Sequence, residues 1–318
     1  MMDGVHLADI HRAAQALANG DIVAIPTETV YGLAANANND VAVANIFSAK
    51  GRPSDHPLIV HVADAEAVAR FAKDIPDFAT ALMRQFWPGP LTLIVPRRGD
   101  AAQLAAGGQA SVGVRCPSHP VAQALLRACQ TMGVWGLAAP SANQFGRISP
   151  TTSAHVRSDF GPELMILEGG ACAIGIESTI IDCTRGVPVL LRPGMVDIAA
   201  IEQALGCKVW RAHDVLPSAG HAASHAPRAS GTLQAHYAPR APLYCLPLPQ
   251  LVARVQAQPE GTVCAVYTFA PFDGMPPTAH WAAMPTSPNA CAQALFAQLR
   301  QFDWLGVQSI WVQCPPDT

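Results

Sequence analysis

Five short polar segments hold most of the residues in this chain that could do chemistry. The first is Pro26-Thr27-Glu28-Thr29-Val30-Tyr31-Gly32-Leu33, directly after an apolar run. The second is Lys50-Gly51-Arg52-Pro53, followed by His56-Pro57-Leu58-Ile59-Val60-His61. The third is Ser111-Val112-Gly113-Val114-Arg115-Cys116-Pro117. The fourth is Ala139-Pro140-Ser141-Ala142-Asn143, with Gly146-Arg147-Ile148-Ser149-Pro150 behind it. The fifth is Glu177-Ser178-Thr179-Ile180-Ile181-Asp182, then Leu191-Arg192-Pro193-Gly194. Lys50 and Arg52 lie two residues apart in a Gly/Pro context that presents both heads to one anion. Arg115 and Arg192 each end an apolar run, where a buried guanidinium needs an anion. Thr29, Ser111, Ser141 and Ser178 add hydroxyls, and His61 adds an imidazole. Together the set suits a ligand that carries both a carboxylate and phosphates. It offers no evident nucleophile–base pair. The chemistry it points to works by positioning and charge stabilisation, as in phosphoryl or nucleotidyl transfer.

Each segment also has an ordinary reading when taken alone. Thr27 or Thr29 would cap a strand-to-helix turn. Residues 50–61 would be a solvated basic turn with a core histidine. Arg115 and Arg192 would close ion pairs within the protein, and residues 139–150 would be a plain loop.

The elements that must position these residues read as an α/β pattern. Apolar strand-like runs fall at Ile22–Ile25, Leu58–Val62, Leu91–Val95, Val112–Arg115, Val134–Ala138, Leu164–Leu167, Ser178–Asp182 and Val189–Leu191. Helical periodicity falls at Leu7–Ala18, Val41–Ala49, Ala65–Phe71, Phe78–Phe86, Val121–Cys129 and Ile198–Leu205. Not every crossover holds a helix, so the expected fold is a twisted, open, mixed sheet with helices. Ligands then gather where strand ends meet in one crevice. Residues 213–242 carry Gly, Ser, Pro, Ala and four histidines without a period, which marks a linker. Beyond it, strands at Leu243–Leu246, Thr262–Tyr267 and Ser309–Val312 and a helix at Asn289–Gln301 form a second, smaller α/β unit. The expected division is 1–207, a linker at 208–241, and a small domain at 242–318.

Composition narrows the function classes. The 318 residues are 50% hydrophobic and 14% charged, which supplies a core and argues against long disorder. The net charge is -3, so binding of nucleic acid by bulk basicity is excluded. Residues 1–207 carry 14 basic against 18 acidic side chains, and the remainder 6 against 5. A weak local nucleic-acid contact is the most this balance allows. No run of about 18 apolar residues predicts a membrane span. The N-terminal stretch has acidic residues where a signal peptide has basic ones, so a cytoplasmic protein is expected. Nine cysteines occur without any C-x-x-C, which argues for reduced thiols rather than a disulfide framework or a zinc site. Three of the 20 basic residues are lysines, which leaves 17 arginines, the side chain suited to planar anions. Sequence signatures of P-loop NTPases, dinucleotide binders, α/β-hydrolases and zincins are missing.

The five segments, in this order, resemble the YrdC/Sua5 family over about residues 7–205. Ala229-Ser230-Gly231-Thr232 and His236-Tyr237-Ala238-Pro239 are similar to the interdomain linker of the longer Sua5 form, and residues 294–306 to its C-terminal domain. The resemblance implies a YrdC-like sheet domain followed by a Sua5-type α/β domain. It implies a nucleotidyltransferase, threonylcarbamoyl-AMP synthase. L-threonine, bicarbonate (or CO2) and ATP with Mg²⁺ give threonylcarbamoyl-adenylate and pyrophosphate, and a separate transfer machinery modifies adenosine 37 of ANN-decoding tRNAs. By the same resemblance Lys50 and Arg52 are catalytic. Thr29, His61, Arg115, Ala139 (through its backbone) and Ser178 hold threonine. Lys50, Arg52, His56, Ser111, Ser141, Asn143, Ser149, Arg192 and His236 surround ATP, under a linker that closes over the site. No protein metal cluster is expected, because Mg²⁺ rides on the phosphates. Two departures stand out. The family often has Asn at the place of His56, and related chains usually continue beyond Cys314-Pro315-Pro316-Asp317-Thr318, so a shortened or differently capped small domain is expected. The competing function is a non-enzymatic RNA-binding or RNA-maturation module. Carbamoyl transfer of the hydrogenase-maturation type would need C-x-x-C pairs and an acylphosphatase module, and neither is visible.

Overall fold

The computed structural model describes residues 6–215, 226–231 and 237–315. They form two compact units, residues up to 145 with 149–236, and residues 146–148 with 237 onward. Residues 208–241, read as linker from composition, supply the last strand of the first sheet, Trp210–Arg211.

The first unit opens with helix α1 (Leu7–Asn19), which leads into the hairpin β1 (Val23–Ile25) and β2 (Gly32–Asn36). Helix α2 (Asp40–Lys50) follows, then β3 (Ile59–His61), a 3-10 turn at Glu66–Arg70, and α3 (Asp77–Phe86). Next come β4 (Leu91–Pro96), β5 (Ser111–Arg115), α4 (Pro120–Thr131), β6 (Leu137–Ala138) and α5 (Ser153–Phe160). The unit closes with β7 (Thr179–Asp182), β8 (Val189–Arg192), α6 (Ile198–Leu205) and β9 (Trp210–Arg211). The nine strands make one mixed sheet in the order β1-β2-β6-β3-β5-β4-β7-β8-β9. The expected mixed α/β sheet is therefore present.

Differences from the sequence reading have local causes. The segment after Ile25 does not turn into a helix. It crosses to β2, which pairs antiparallel with β1. Gly-Leu-Ala-Ala-Asn has little intrinsic strand preference, and its two neighbours in the sheet hold it extended. Leu164–Leu167 is not a strand. It makes one bridge, Ala24 to Ile166, before Gly169-Gly170 turns the chain away. Helix α5 escapes a periodicity search because only His155 and Val156 are buried, and Thr152 fixes its start by accepting from the His155 amide.

The second unit has a four-stranded parallel sheet in the order β10-β13-β11-β12. Its strands are β10 (Leu243–Leu246), β11 (Cys264–Thr268), β12 (Ala279–Ala283) and β13 (Ser309–Gln313). Its helices are α7 (Leu248–Gln256) and α8 (Pro288–Trp304). Helix α7 and strand β12 are additions to the sequence reading. Among the described residues no helix is long and apolar enough to cross a membrane.

Candidate active site on one face of the large sheet

Strand alternation builds the site. Val60, Leu93, Val112, Val114 and Ile181 point into the main apolar cluster. Their alternates share the opposite face, because residues directly across from each other in a sheet point the same way. His61 lies across from Arg115 and Ile59 from Gly113. Gly113 lies across from Ile94 on the other side, Thr92 from Ile180, and Ile180 from Arg192. By the same alternation Ser111 and Ser178 join this face. The register of β8 shifts between Ile180 and Ile181. Without that bulge Leu191 would face Ile180, so the extra residue re-aims Arg192 onto the polar face. The crevice expected at the strand ends is thus a sheet face crossed by side chains from several strands.

Arg115 is buried, and its guanidinium is held on three sides. Nη2 lies 2.7 Å from Glu28 Oε1. Nη1 donates to Thr29 Oγ1 at 2.8 Å, and Nε donates to the Gly89 carbonyl at 3.3 Å. The Glu28 contact departs from hydrogen-bond geometry, so charge attraction carries it. Burial pushes Glu28 up, but the Arg115 charge outweighs it and holds the carboxyl below its ordinary value. Thr27 gives its hydroxyl hydrogen to the Val30 carbonyl at 2.6 Å. Thr29 must therefore be the donor in the 2.9 Å Thr27–Thr29 contact, which leaves it an acceptor toward Arg115. The ion pair that the sequence left open for Arg115 is present, with Glu28 as its partner. Glu28 carries no role in the sequence reading. A carboxylate between two threonines in an apolar loop, with an arginine to satisfy, is the signal that would have found it.

His61 is buried beside this pair, with Nδ1 3.3 Å from the Ile59 carbonyl oxygen. Burial first, and then the Arg115 charge, push its pKa down to about 3, so the ring is neutral at pH 7. An unfolded chain binds a proton here below its ordinary 6.5, whereas the folded chain refuses it until about 3. Stability is therefore lost as pH falls through that window, at up to ~1.4 kcal/mol per unit. Urea unfolding of the native chain and of His61→Asn between pH 7 and 4 should show a shallower loss in the variant. Equal slopes would mean that the ring is solvated in the folded protein.

Lys50 ends α2, whose start is capped by Asn39 accepting from the Val41 and Ala42 amides. Gly51 takes a left-handed φ of 61°, which halts the helix and turns the chain to Arg52. The buried Lys50 ammonium donates to the carbonyl of Ser141 at 2.6 Å and to that of Asn143. It thus ties the 139–143 loop to the helix end. Ser141 bridges Gly32, and the buried Asn143 donates to the Gln144 carbonyl at 2.7 Å. The Ala139 amide is spent on Ile59, so a ligand contact through its backbone falls to the carbonyl. Arg52 donates to the Pro57 carbonyl at 3.0 Å and reaches Ser230 Oγ at 3.4 Å, with the Phe145 ring 5.8 Å away. His56 lies on the same turn, its ring centroid 5.6 Å from that of Phe145. Partial burial, then the Arg52 charge, lower its pKa.

Arg192 donates to the Ser178 carbonyl from Nε at 3.0 Å and from Nη2 at 2.9 Å, and to Ser178 Oγ at 3.0 Å. Ser178 Oγ also meets Thr92 Oγ1 at 2.8 Å. Ser149 donates to Glu177 at 2.6 Å, and that carboxylate lies 4.0 Å from Arg192. Thr92 and Glu177 are further members of the site beyond the sequence reading.

A segment from residue 228 to 230 lies against this face. The Gln109 side-chain amide pairs with both backbone groups of Arg228, accepting from its N–H at 2.7 Å and donating to its C=O at 3.2 Å. The Arg228 guanidinium adds Asp55 at 3.2 Å and the Gly107 carbonyl at 3.0 Å. Two residues on, the Ser230 carbonyl accepts from Arg192 at 3.0 Å. The space left between this segment and Ile59, Thr92, Ile94, Ser111, Gly113 and Ile180 is about 10 Å³. The structure therefore gathers Thr29, His61 and Arg115 at one place, and Ser178, Arg192, Arg52 and Ser230 at a second. Lys50, Ser141 and Asn143 form the neighbouring loop anchor. His236 lies outside the described residues.

Comparison with known proteins accords with this layout. The model of the Sua5/YciO/YrdC proteins, described as telomere recombination, matches residues 15–194. The model described as threonylcarbamoyl-AMP synthase, C-terminal domain, matches residues 196–318. A Pyrococcus abyssi protein named threonylcarbamoyl-AMP synthase is 44% identical over 233 residues, 73% of this chain and 66% of the relative. A Bacillus subtilis protein of the same name is 43% identical over 237 residues, 74% of this chain and 65% of the relative. The matched region thus spans just under two thirds of the length of these relatives. The crystal structure of P. abyssi Sua5 complexed with L-threonine superimposes with a TM-score of 0.83 at 37% identity, covering 96% of this chain and 88% of that one. The chain belongs to the Sua5/YciO/YrdC family, and it carries the Sua5 C-terminal domain behind the family's sheet domain.

Proposed function

We propose that this chain is a threonylcarbamoyl-AMP synthase, a nucleotidyltransferase that joins L-threonine, bicarbonate (or CO2) and ATP with release of pyrophosphate. The observation that carries the reading is the buried Arg115, pinned by Glu28 and Thr29 on a polar sheet face that also presents Arg192 and Ser178. A guanidinium held this way presents a fixed edge to a carboxylate. The names of the relatives and the threonine-bound Sua5 support the same reading.

In the proposed reaction the threonine amine forms a carbamate, and a carbamate oxygen attacks the α-phosphorus of ATP as pyrophosphate leaves. Arg115 anchors the amino-acid carboxylate. His61, neutral at pH 7, contacts the substrate without adding charge. Thr29 acts by orienting Arg115, and Ser178 with the Ala139 carbonyl completes the threonine pocket. Arg52, Arg192 and the loop anchored by Lys50 face the nucleotide and offset charge on the phosphates. Among the described residues no three His, Cys, Asp or Glu side chains cluster as metal ligands. Mg²⁺ would enter as part of the ATP substrate, held mainly by phosphate oxygens and water. The adenylate would feed a tRNA threonylcarbamoyl-transfer machinery in the cytoplasm.

The test is pyrophosphate release from MgATP and bicarbonate with L-threonine, with L-serine, and with no amino acid. Threonine-dependent release, weaker with serine, is the expected result. ATP binding without threonine-dependent release, together with salt-dependent tRNA affinity, would overturn the reading in favour of an RNA-binding module.

A further inference from the structure

Strand β10 is an edge strand of the small sheet, paired in parallel with β13 so that Cys245 faces Val312 and Leu246 faces Gln313. The Cys314 amide then donates to the Leu246 carbonyl at 2.9 Å, which extends the pairing by one residue. This brings the Cys245 and Cys314 sulfurs to 3.0 Å from each other. A disulfide bond needs about 2.05 Å, so an approach of roughly 1 Å joins them. Cys245 is exposed and Cys314 half-buried. Of the other seven cysteines, five are buried and only Cys207 and Cys291 are reachable. No third metal-ligating side chain joins the pair among the described residues, so its chemistry is that of two thiols.

We propose that Cys245 and Cys314 are a dithiol site that closes reversibly to an intramolecular disulfide by exchange with a low-molecular-weight disulfide. One protein thiolate attacks a sulfur of the small disulfide and expels one small thiolate. The second protein thiolate then attacks the protein sulfur of that mixed disulfide and expels the other. Two protein thiols become one S–S bond, the small disulfide takes up the two electrons, and two protons leave to its thiolates. The second step is intramolecular, so the held geometry replaces a millimolar or higher thiol concentration. Partial burial and the neighbouring thiol push the Cys245 pKa up to about 11. Cys245 therefore rests as a thiol at neutral pH and reacts through its minor thiolate form.

The full chain incubated with glutathione disulfide and digested with trypsin separates the possibilities. Cys245 falls in the peptide 241–254, Cys314 in 301–318 and Cys291 in 255–300. The expected product is a cross-link of 241–254 with 301–318, lighter than their sum by two hydrogens. It should exceed glutathione adducts at the two positions at least ~10-fold, while Cys291 carries a simple adduct. Cys245→Ser should abolish the cross-link and leave Cys314 as an adduct. Separate adducts on Cys245 and Cys314, or no reaction at either while Cys291 reacts, would overturn the proposal.

Discussion

Arg115→Ala should destabilise the fold by about 3–5 kcal/mol and abolish threonine-dependent pyrophosphate release. The stability loss follows from what remains. Glu28 would be left buried without the cation 2.7 Å away that now holds its carboxyl below the ordinary range. It would take up a proton instead, so the variant's unfolding becomes less sensitive to acid between pH 7 and 4. Combining Arg115→Ala with Glu28→Gln should recover much of the stability and none of the activity, which separates the two roles. Arg115→Lys restores the charge but not the fork of donors that spans Glu28, Thr29 and a carboxylate. It should keep most of the stability and raise the KM for threonine at least ~10-fold, the effect of about 1.4 kcal/mol of lost binding. Full activity in Arg115→Ala would show that the carboxylate anchor lies elsewhere.

Lys50→Met should reduce kcat/KM for ATP at least ~10³-fold, about 4 kcal/mol of transition-state stabilisation, and also lower stability by roughly 2–4 kcal/mol. A lysine that only met phosphate would leave the fold untouched when removed. Here the ammonium already serves the carbonyls of Ser141 and Asn143, so its loss leaves the buried Asn143 carbonyl without that donor and loosens the 139–143 loop. Urea midpoints measured beside ATP titrations decide the matter. A fall in affinity at constant midpoint would make Lys50 a phosphate ligand alone. A joint fall would show that it acts largely through the loop.

The residues explain why some of this was legible in the sequence. The motifs lie close to their positions in the fold, because Val112 and Val114 or Leu91 and Leu93 announce strands by themselves. The same alternation, carried one step further, names the face that Ser111, Gly113 and Arg115 share. What it does not announce is the partner across the sheet. The Arg115–Glu28 pair joins positions 87 apart in sequence, and Ser178–Thr92 joins positions 86 apart. The β8 bulge is equally silent, since Leu190-Leu191-Arg192 reads as a regular strand. Strand β2 is hidden by its alanines, and β12 by its exposed surface. The 228–230 segment is legible only through the linker resemblance, because its anchors Gln109 and Asp55 lie more than a hundred residues away in sequence.

The shared face also bears on how the chain finds its register. A slip of one residue in β5 would turn Val112 and Val114 toward the polar face and drive Ser111 and Arg115 into the apolar cluster. There the guanidinium would meet no carboxylate, at a cost of several kcal/mol. The charge that the site needs thus also penalises misalignment of the central strand. Its ion pair with Glu28 forms only when the loop after β1 has arrived as well. A neutral residue at 115 would therefore be expected to slow productive folding as well as silence the reaction, since mispaired sheets would no longer be rejected by an unpaired buried charge.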